Sequence, residues 1–219
     1  MKRKNFHTYK RPVQAYSTLG NFEDRILSTF FEFDKYDLAE LIFHELFHTI
    51  FFVKSNVDLN ENLANYFGKE LMKEYFTKDK AVLNERIKKF EKSKTIRLAL
   101  VKLINTYKEE LKKNKPENVE QSYSFLKNFL EQTFNPSIEK TCSNLGLNRQ
   151  KCYPLKRKWN HASFSAFMTY EKKGAFIDKL RKKNNFTLKE YLVFLDKHYL
   201  KFKKSNKKIA FSKYLEGLI

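Results

Sequence analysis

The sequence predicts a mainly α-helical protein, and three observations carry that prediction. Only 5 Gly and 4 Pro interrupt 219 residues, so long segments run without a breaker. Apolar residues recur at helical spacing through most of the chain. The most apolar stretch, Leu41 to Val53, holds two histidines four residues apart, a spacing that a helix turns into a shared face.

Taken in order, "RPVQAYSTLG" is the one extended candidate. Pro12 leads it and Gly20 closes it, which places a short extended segment near residues 12–19. Asp34 or Asp37 can cap a helix that runs to about Val53. "KSNVDLN" breaks the pattern, and "ENLANYFGKELMKEYF" resumes it with Leu63, Tyr66, Phe67, Leu71 and Tyr75 on one face. From about Asp79 to Lys113 a long charged helix carries a stripe of Leu83, Ile87, Phe90, Val101, Ile104 and Leu111. "NKPEN" turns the chain, and Val119, Tyr123, Leu126 and Leu130 answer that stripe, predicting a long antiparallel helical hairpin over 79–134. Residues 135–158 read as irregular. C-terminal helices follow in "NHASFSAFMTY", "GAFIDKLRKK" and "TLKEYLVFLDKHYLKF", the last aligning Leu188, Tyr191, Leu192, Leu195 and Tyr199. The expected organisation is a single domain, with a site core at 12–76, the hairpin, and a part at 135–219 that completes a cleft.

The net charge of +19 points at first to nucleic acid. The basic residues are 8 Arg and 36 Lys, however, and the Lys are spread along the whole chain. Base reading and bidentate phosphate contact favour Arg, so no specific nucleic-acid partner is expected. The 18 Asn fit the same Lys- and Asn-rich compositional bias. Cys142 and Cys152 form no metal spacing; they pair in an oxidising compartment or stay as reduced structural thiols. "MKRKNFHTYKRP" has charge with no apolar run behind it, so it is not a signal peptide. The apolar run around the histidines is shorter than the ~20 residues of a membrane span and carries three ionisable groups. As written, the chain reads as soluble and cytoplasmic.

His44-Glu45-Leu46-Phe47-His48 is H-E-x-x-H. On a helix both imidazoles point the same way and can share a metal ion, while the glutamate between them can take a proton from water. The composition yields about 0.01 chance matches to that pattern. An apolar helix that buries three ionisable groups needs a compensating interaction, since burying them unpaired costs several kcal/mol. A zinc ion supplies one; a pair of neutral core histidines bonded to carbonyls is the alternative. A hydrolytic zinc takes three protein ligands, and Glu61 in "DLNENLANYFG" is the candidate third. The seven-residue connection from Lys54 to Asn60 reaches ~23 Å, enough to fold back. Asp58 and Glu61 also stand at capping-box spacing, so Glu61 as a mere helix cap stays open.

Four separated segments, "AYSTLGNFEDRILSTFF", "LAELIFHELFHT", "NENLANYFG" and "WNHASFSAFMTYE", occur in that order. Together they resemble the bacterial family of predicted zinc aminopeptidases. The resemblance implies a zincin-like pair of active-site helices and a gluzincin-like site. His44, His48 and Glu61 would be the Zn2+ ligands, Glu45 the catalytic carboxylate and a peptide the substrate. It also directs attention to Tyr170 and His161 as donors to a developing oxyanion, with Tyr170 favoured. Two features depart from the family: Asn160-His161 stands where two asparagines are usual, and 14 residues precede Ala15 where relatives carry a longer segment. With such a segment restored, the expected location shifts to the envelope or periplasm. Two other classes compete: an inactive zinc-binding scaffold and a Lys-driven nucleic-acid binder.

Overall fold

The computed structural model describes residues 7–10, 28–171, 173–205 and 209–218. Among them the architecture is helical throughout, with no strand. The extended segment expected near residues 12–19 lies outside the described residues. The chain divides into two compact units: one holds residues 1–10 and 84–168, the other 11–83 and 169–219.

The second unit is built on α1 (Lys35–Ile50) and α2 (Val57–Tyr75), with α8 (Gly174–Lys183), α9 (Leu188–Lys204) and α10 (Phe211–Glu216) packed in. Asp34 caps α1, its Oδ1 accepting from the Tyr36 and Asp37 N–H groups at 2.9 Å. α1 stops at Ile50, three residues short of the expected end. Phe51 is extended (φ −140°, ψ 121°), and Asn60 explains why the chain leaves the helix here. Its Oδ1 accepts from the Val53 N–H and its Nδ2 donates to the Val53 carbonyl, both at 2.9 Å. One side-chain amide thus satisfies both backbone groups of a buried residue.

Replacing Asn60 by Ala should cost about 1–3 kcal/mol, because the Val53 N–H then sits buried without an acceptor. The measurement is the urea midpoint at unchanged slope, and an unchanged midpoint would refute the clamp.

The core of this unit contains Phe47, Leu59, Leu63, Phe67, Ile177, Tyr191, Leu195 and Phe211. Phe47 stacks on Phe67 at 4.5 Å between ring centroids, across the α1–α2 seam. The face expected for α2 is partly corrected: Tyr75 is 71% exposed, and Leu59, Ala64 and Met72 are buried instead. α1 is also less buried than its composition implies. Ile42, Leu46 and Ile50 form an exposed outer stripe, at 41, 50 and 64% exposure. On α9, Leu188, Tyr191 and Leu195 are buried as expected.

The first unit contains most of α3 (Lys80–Asn114), then α4 (Val119–Phe129), a π-helical turn (Leu130–Phe134), α5 (Asn135–Asn144), α6 (Tyr153–Lys156) and most of α7 (His161–Glu171). Its core joins Ile96, Leu100, Ile104 and Tyr107 of α3 to Leu126, Phe129, Phe134, Ile138, Trp159 and Phe164. Tyr107 meets Phe125 and Phe129 of α4 with centroids 5.7 and 5.0 Å apart. The expected α3 stripe had Ile104 right, with Leu83 also buried and Val101 and Leu111 packed against this core, and it missed Ile96, Leu100 and Tyr107. Residues 135–144, read as irregular, are helical. Pro136 occupies the first turn of α5, where no N–H is needed, and the π turn before it relieves the ring's clash with the preceding carbonyl. Cys142 and Cys152 form a disulfide with Cα atoms 5.9 Å apart, so the paired alternative is the one realised.

Candidate metal centre

The site is built where α2 packs against α1. Gly68 of α2 lies against the α1 backbone: a methyl group there would stand 2.8 Å from the Glu40 carbonyl oxygen and 3.3 Å from the His44 Cα. Seven residues earlier on α2, Glu61 reaches the imidazoles of His44 and His48. Moving up α1 from Glu40 to His48 therefore means moving down α2 from Gly68 to Glu61, so the two helices run antiparallel. α2 begins at Val57, which puts Asp58 inside the first turn and not at the cap; Asn56 holds the cap position. Glu61 is thus past the capping turn, and the cap alternative loses its geometry.

The His44 and His48 Nε2 atoms stand 3.3 Å apart. One Glu61 carboxylate oxygen is 3.6 Å from the His44 Nε2, and the other is 3.6 Å from the His48 Nε2. Ligands at ~2.0–2.1 Å from a tetrahedral ion are separated by about 3.3–3.4 Å along each edge. The His44–His48 separation matches such an edge, and each Glu61 oxygen stands near that distance from one of the two rings, so the carboxylate straddles the histidine pair. Two imidazoles with one carboxylate are a donor set suited to zinc. The residues present fit a metal ion. This is the one group of three such side chains among the described residues, with ligand atoms all within 4.8 Å. The His44, His48 and Glu61 side chains are 15, 7 and 20% exposed, enclosed yet reachable from solvent.

Burial pushes the His48 imidazole below its ordinary pKa, and His44 acts in the same direction while Glu61 opposes both. The shift favours the neutral ring, the form that ligates. A neutral ring with its Nε2 lone pair free carries its proton on Nδ1, and the His48 Nδ1 is buried without a hydrogen-bond partner among the described residues. Glu45 sits on the same two turns of α1, partly buried.

Asparagines on α2 tie the end of α7 to the helix that carries Glu61. The Asn62 Nδ2 donates to the Asp58 carbonyl at 2.7 Å and to the Thr169 carbonyl at 2.8 Å, while its Oδ1 accepts from the Lys173 N–H at 3.0 Å. The Asn65 Nδ2 donates to the Tyr170 carbonyl at 3.3 Å. Tyr170 is thereby tethered one helical turn beyond Glu61. Sequence reasoning missed Asn60, Asn62 and Asn65 by assigning asparagine to compositional bias. The available signal was local: Asn is a poor residue for a helix interior, and three in six residues need partners.

His161 belongs to a different cluster, within the first unit. Its Nε2 stands 2.5 Å from the Tyr107 hydroxyl, and its Nδ1 is 2.9 Å from the His7 Nδ1. His7 in turn stacks on Tyr123 at 4.0 Å. Burial lowers the pKa of both imidazoles, and for His161 the neighbouring His7 adds to it. No helix among the described residues is long and apolar enough to cross a membrane.

No curated protein matches this chain, and no solved structure does. A family model described as "Putative aminopeptidase" matches residues 1–210. That span covers nearly all of the 219 residues, and the chain belongs to this aminopeptidase family.

Proposed function

We propose that the protein is a zinc-dependent peptidase of gluzincin-like design that removes N-terminal residues from peptides. The observation that carries this reading is the convergence of the His44 and His48 Nε2 atoms with the Glu61 carboxylate, at 3.3 and 3.6 Å. His44, His48 and Glu61 would hold the ion. When bound, zinc supplies Lewis acidity, acidifying a water and polarising the scissile carbonyl. Glu45 accepts the proton of the attacking water and then delivers it to the leaving amine. Tyr170 donates a hydrogen bond from its hydroxyl to the oxygen that gains charge as the carbonyl becomes tetrahedral. Asn65 holds the Tyr170 backbone on the helix that carries Glu61, whereas His161 has both ring nitrogens engaged by Tyr107 and His7.

The test is elemental analysis of protein stripped by chelator and reloaded, together with hydrolysis of peptides with free and with acetylated N-termini. About one zinc per chain and cleavage of the free-amine series alone are expected. Absence of metal, with no thermal shift on adding zinc, would sink the site. Cleavage of both peptide series would retain a peptidase and remove the aminopeptidase assignment.

Tyr170→Phe should slow turnover by ~10²–10³, with zinc content and KM nearly unchanged. Full activity in that variant, with loss in His161→Ala, would transfer the oxyanion role to His161.

A further inference from the structure

We infer that Gly68 is a positioning residue for the metal centre: the bare backbone it offers to His44 sets the helix spacing at which Glu61 completes the ligand triangle. The inference rests on the metal-site reading above.

Glu61, Ala64 and Gly68 follow one another at i, i+3 and i+7, so they share one face of α2. Ala64 and Gly68 are buried there. Glycine inside a helix is less stable than alanine, so local propensity argues against Gly68, and close approach accounts for it. A Cβ at this position would lie 2.8 Å from the Glu40 carbonyl oxygen, 3.1 Å from the His44 backbone N and 3.3 Å from the His44 Cα. All three are backbone atoms, and they cannot swing aside as a flexible side chain does.

The strain has one easy outlet. The far side of α1, Ile42, Leu46 and Ile50, is exposed, so α1 can move outward by a few tenths of an ångström, stretching the Phe47–Phe67 stack across the seam only slightly. That movement carries His44 and His48 away from Glu61. Separations of 3.6 Å already sit at the long end for a shared ion, so any widening loosens the carboxylate's hold. The cost therefore falls on metal affinity more than on the fold.

The experiment compares zinc affinity, by competition with a chromophoric chelator, and thermal unfolding of the metal-free protein, for wild type, Gly68→Ala and Gly174→Ala. Among the described residues, an alanine Cβ at Gly174 would meet only the Asn62 Oδ1, at an ordinary 3.8 Å, so it controls for glycine replacement as such. Gly68→Ala should fold without metal, with a melting curve close to wild type. Its zinc affinity should fall by about 10–100-fold, the range typical when groups that orient a ligand are lost. Gly174→Ala should match wild type in both measurements. Equal zinc affinity in Gly68→Ala and wild type overturns the inference and leaves the metal site standing. Failure of Gly68→Ala to fold, with or without zinc, also overturns it, since the glycine then serves the fold as a whole. A wild type that takes up no zinc overturns the site and the inference together.

Discussion

Glu45→Gln is expected to yield a folded, zinc-loaded and inactive protein. Glutamine has nearly the size of glutamate, so helix α1 should pack as before. The three converging side chains are His44, His48 and Glu61, and none of them is altered, so about one zinc per chain should remain. What disappears is the carboxylate that accepts the proton of the attacking water, a contribution of ~10²–10⁴ in rate. The readouts are zinc content, circular dichroism and peptide hydrolysis on one preparation. Loss of zinc would make Glu45 a ligand or a prop for one. Retained zinc with retained activity would mean that hydrolysis arises elsewhere.

His48→Ala carries the second large effect, on the metal itself. His48 is the most buried of the three side chains, 7% exposed against 15% and 20%, and its Nε2 is one corner of the triangle. Without it, two ligands remain, and zinc stoichiometry should fall close to zero. Stability then changes in a way that separates packing from metal. A ligand that binds only the folded state at 1,000 times its Kd stabilises by about 4 kcal/mol. Wild type should therefore melt well above His48→Ala when zinc is present, and the gap should largely close when both are stripped. A gap that persists in the stripped proteins would assign His48 to the core and not to an ion.

Several elements were legible because their cause is local. One of the two aspartates offered as a cap, Asp34, does cap α1, and the i, i+4 spacing of His44 and His48 puts both rings on one face wherever that helix forms. The apolar positions of α9 follow the same short-range rule. Errors occur where a distant group decides. α1 ends at Ile50 because Asn60, beyond the turn, captures Val53. In α3, 35 residues long, Ile104 and Leu111 were read on the correct face, but Tyr107 between them was passed over, because the His161 ring that takes its hydroxyl lies 54 residues away. Pro136 reads as a breaker in isolation, yet it opens α5 once a π turn precedes it.

The sequence by itself determined the helical class, the choice of Asp34 or Asp37 as the cap of α1, the shared face of His44 and His48, and Glu61 as a candidate to join them. Each depends on contacts within a turn or two of helix, where spacing dictates geometry. Whether Glu61 caps a helix or faces the histidines was undecidable at that range, because it depends on where α2 begins and how closely it approaches α1. Packing decided it: α2 starts at Val57 and meets α1 at Gly68, which carries the carboxylate to 3.6 Å from both rings. The asparagine tethers that hold Thr169 and Tyr170 to α2 were equally hidden. A side-chain amide declares no partner in sequence, and its hydrogen bonds span more than 100 residues of chain.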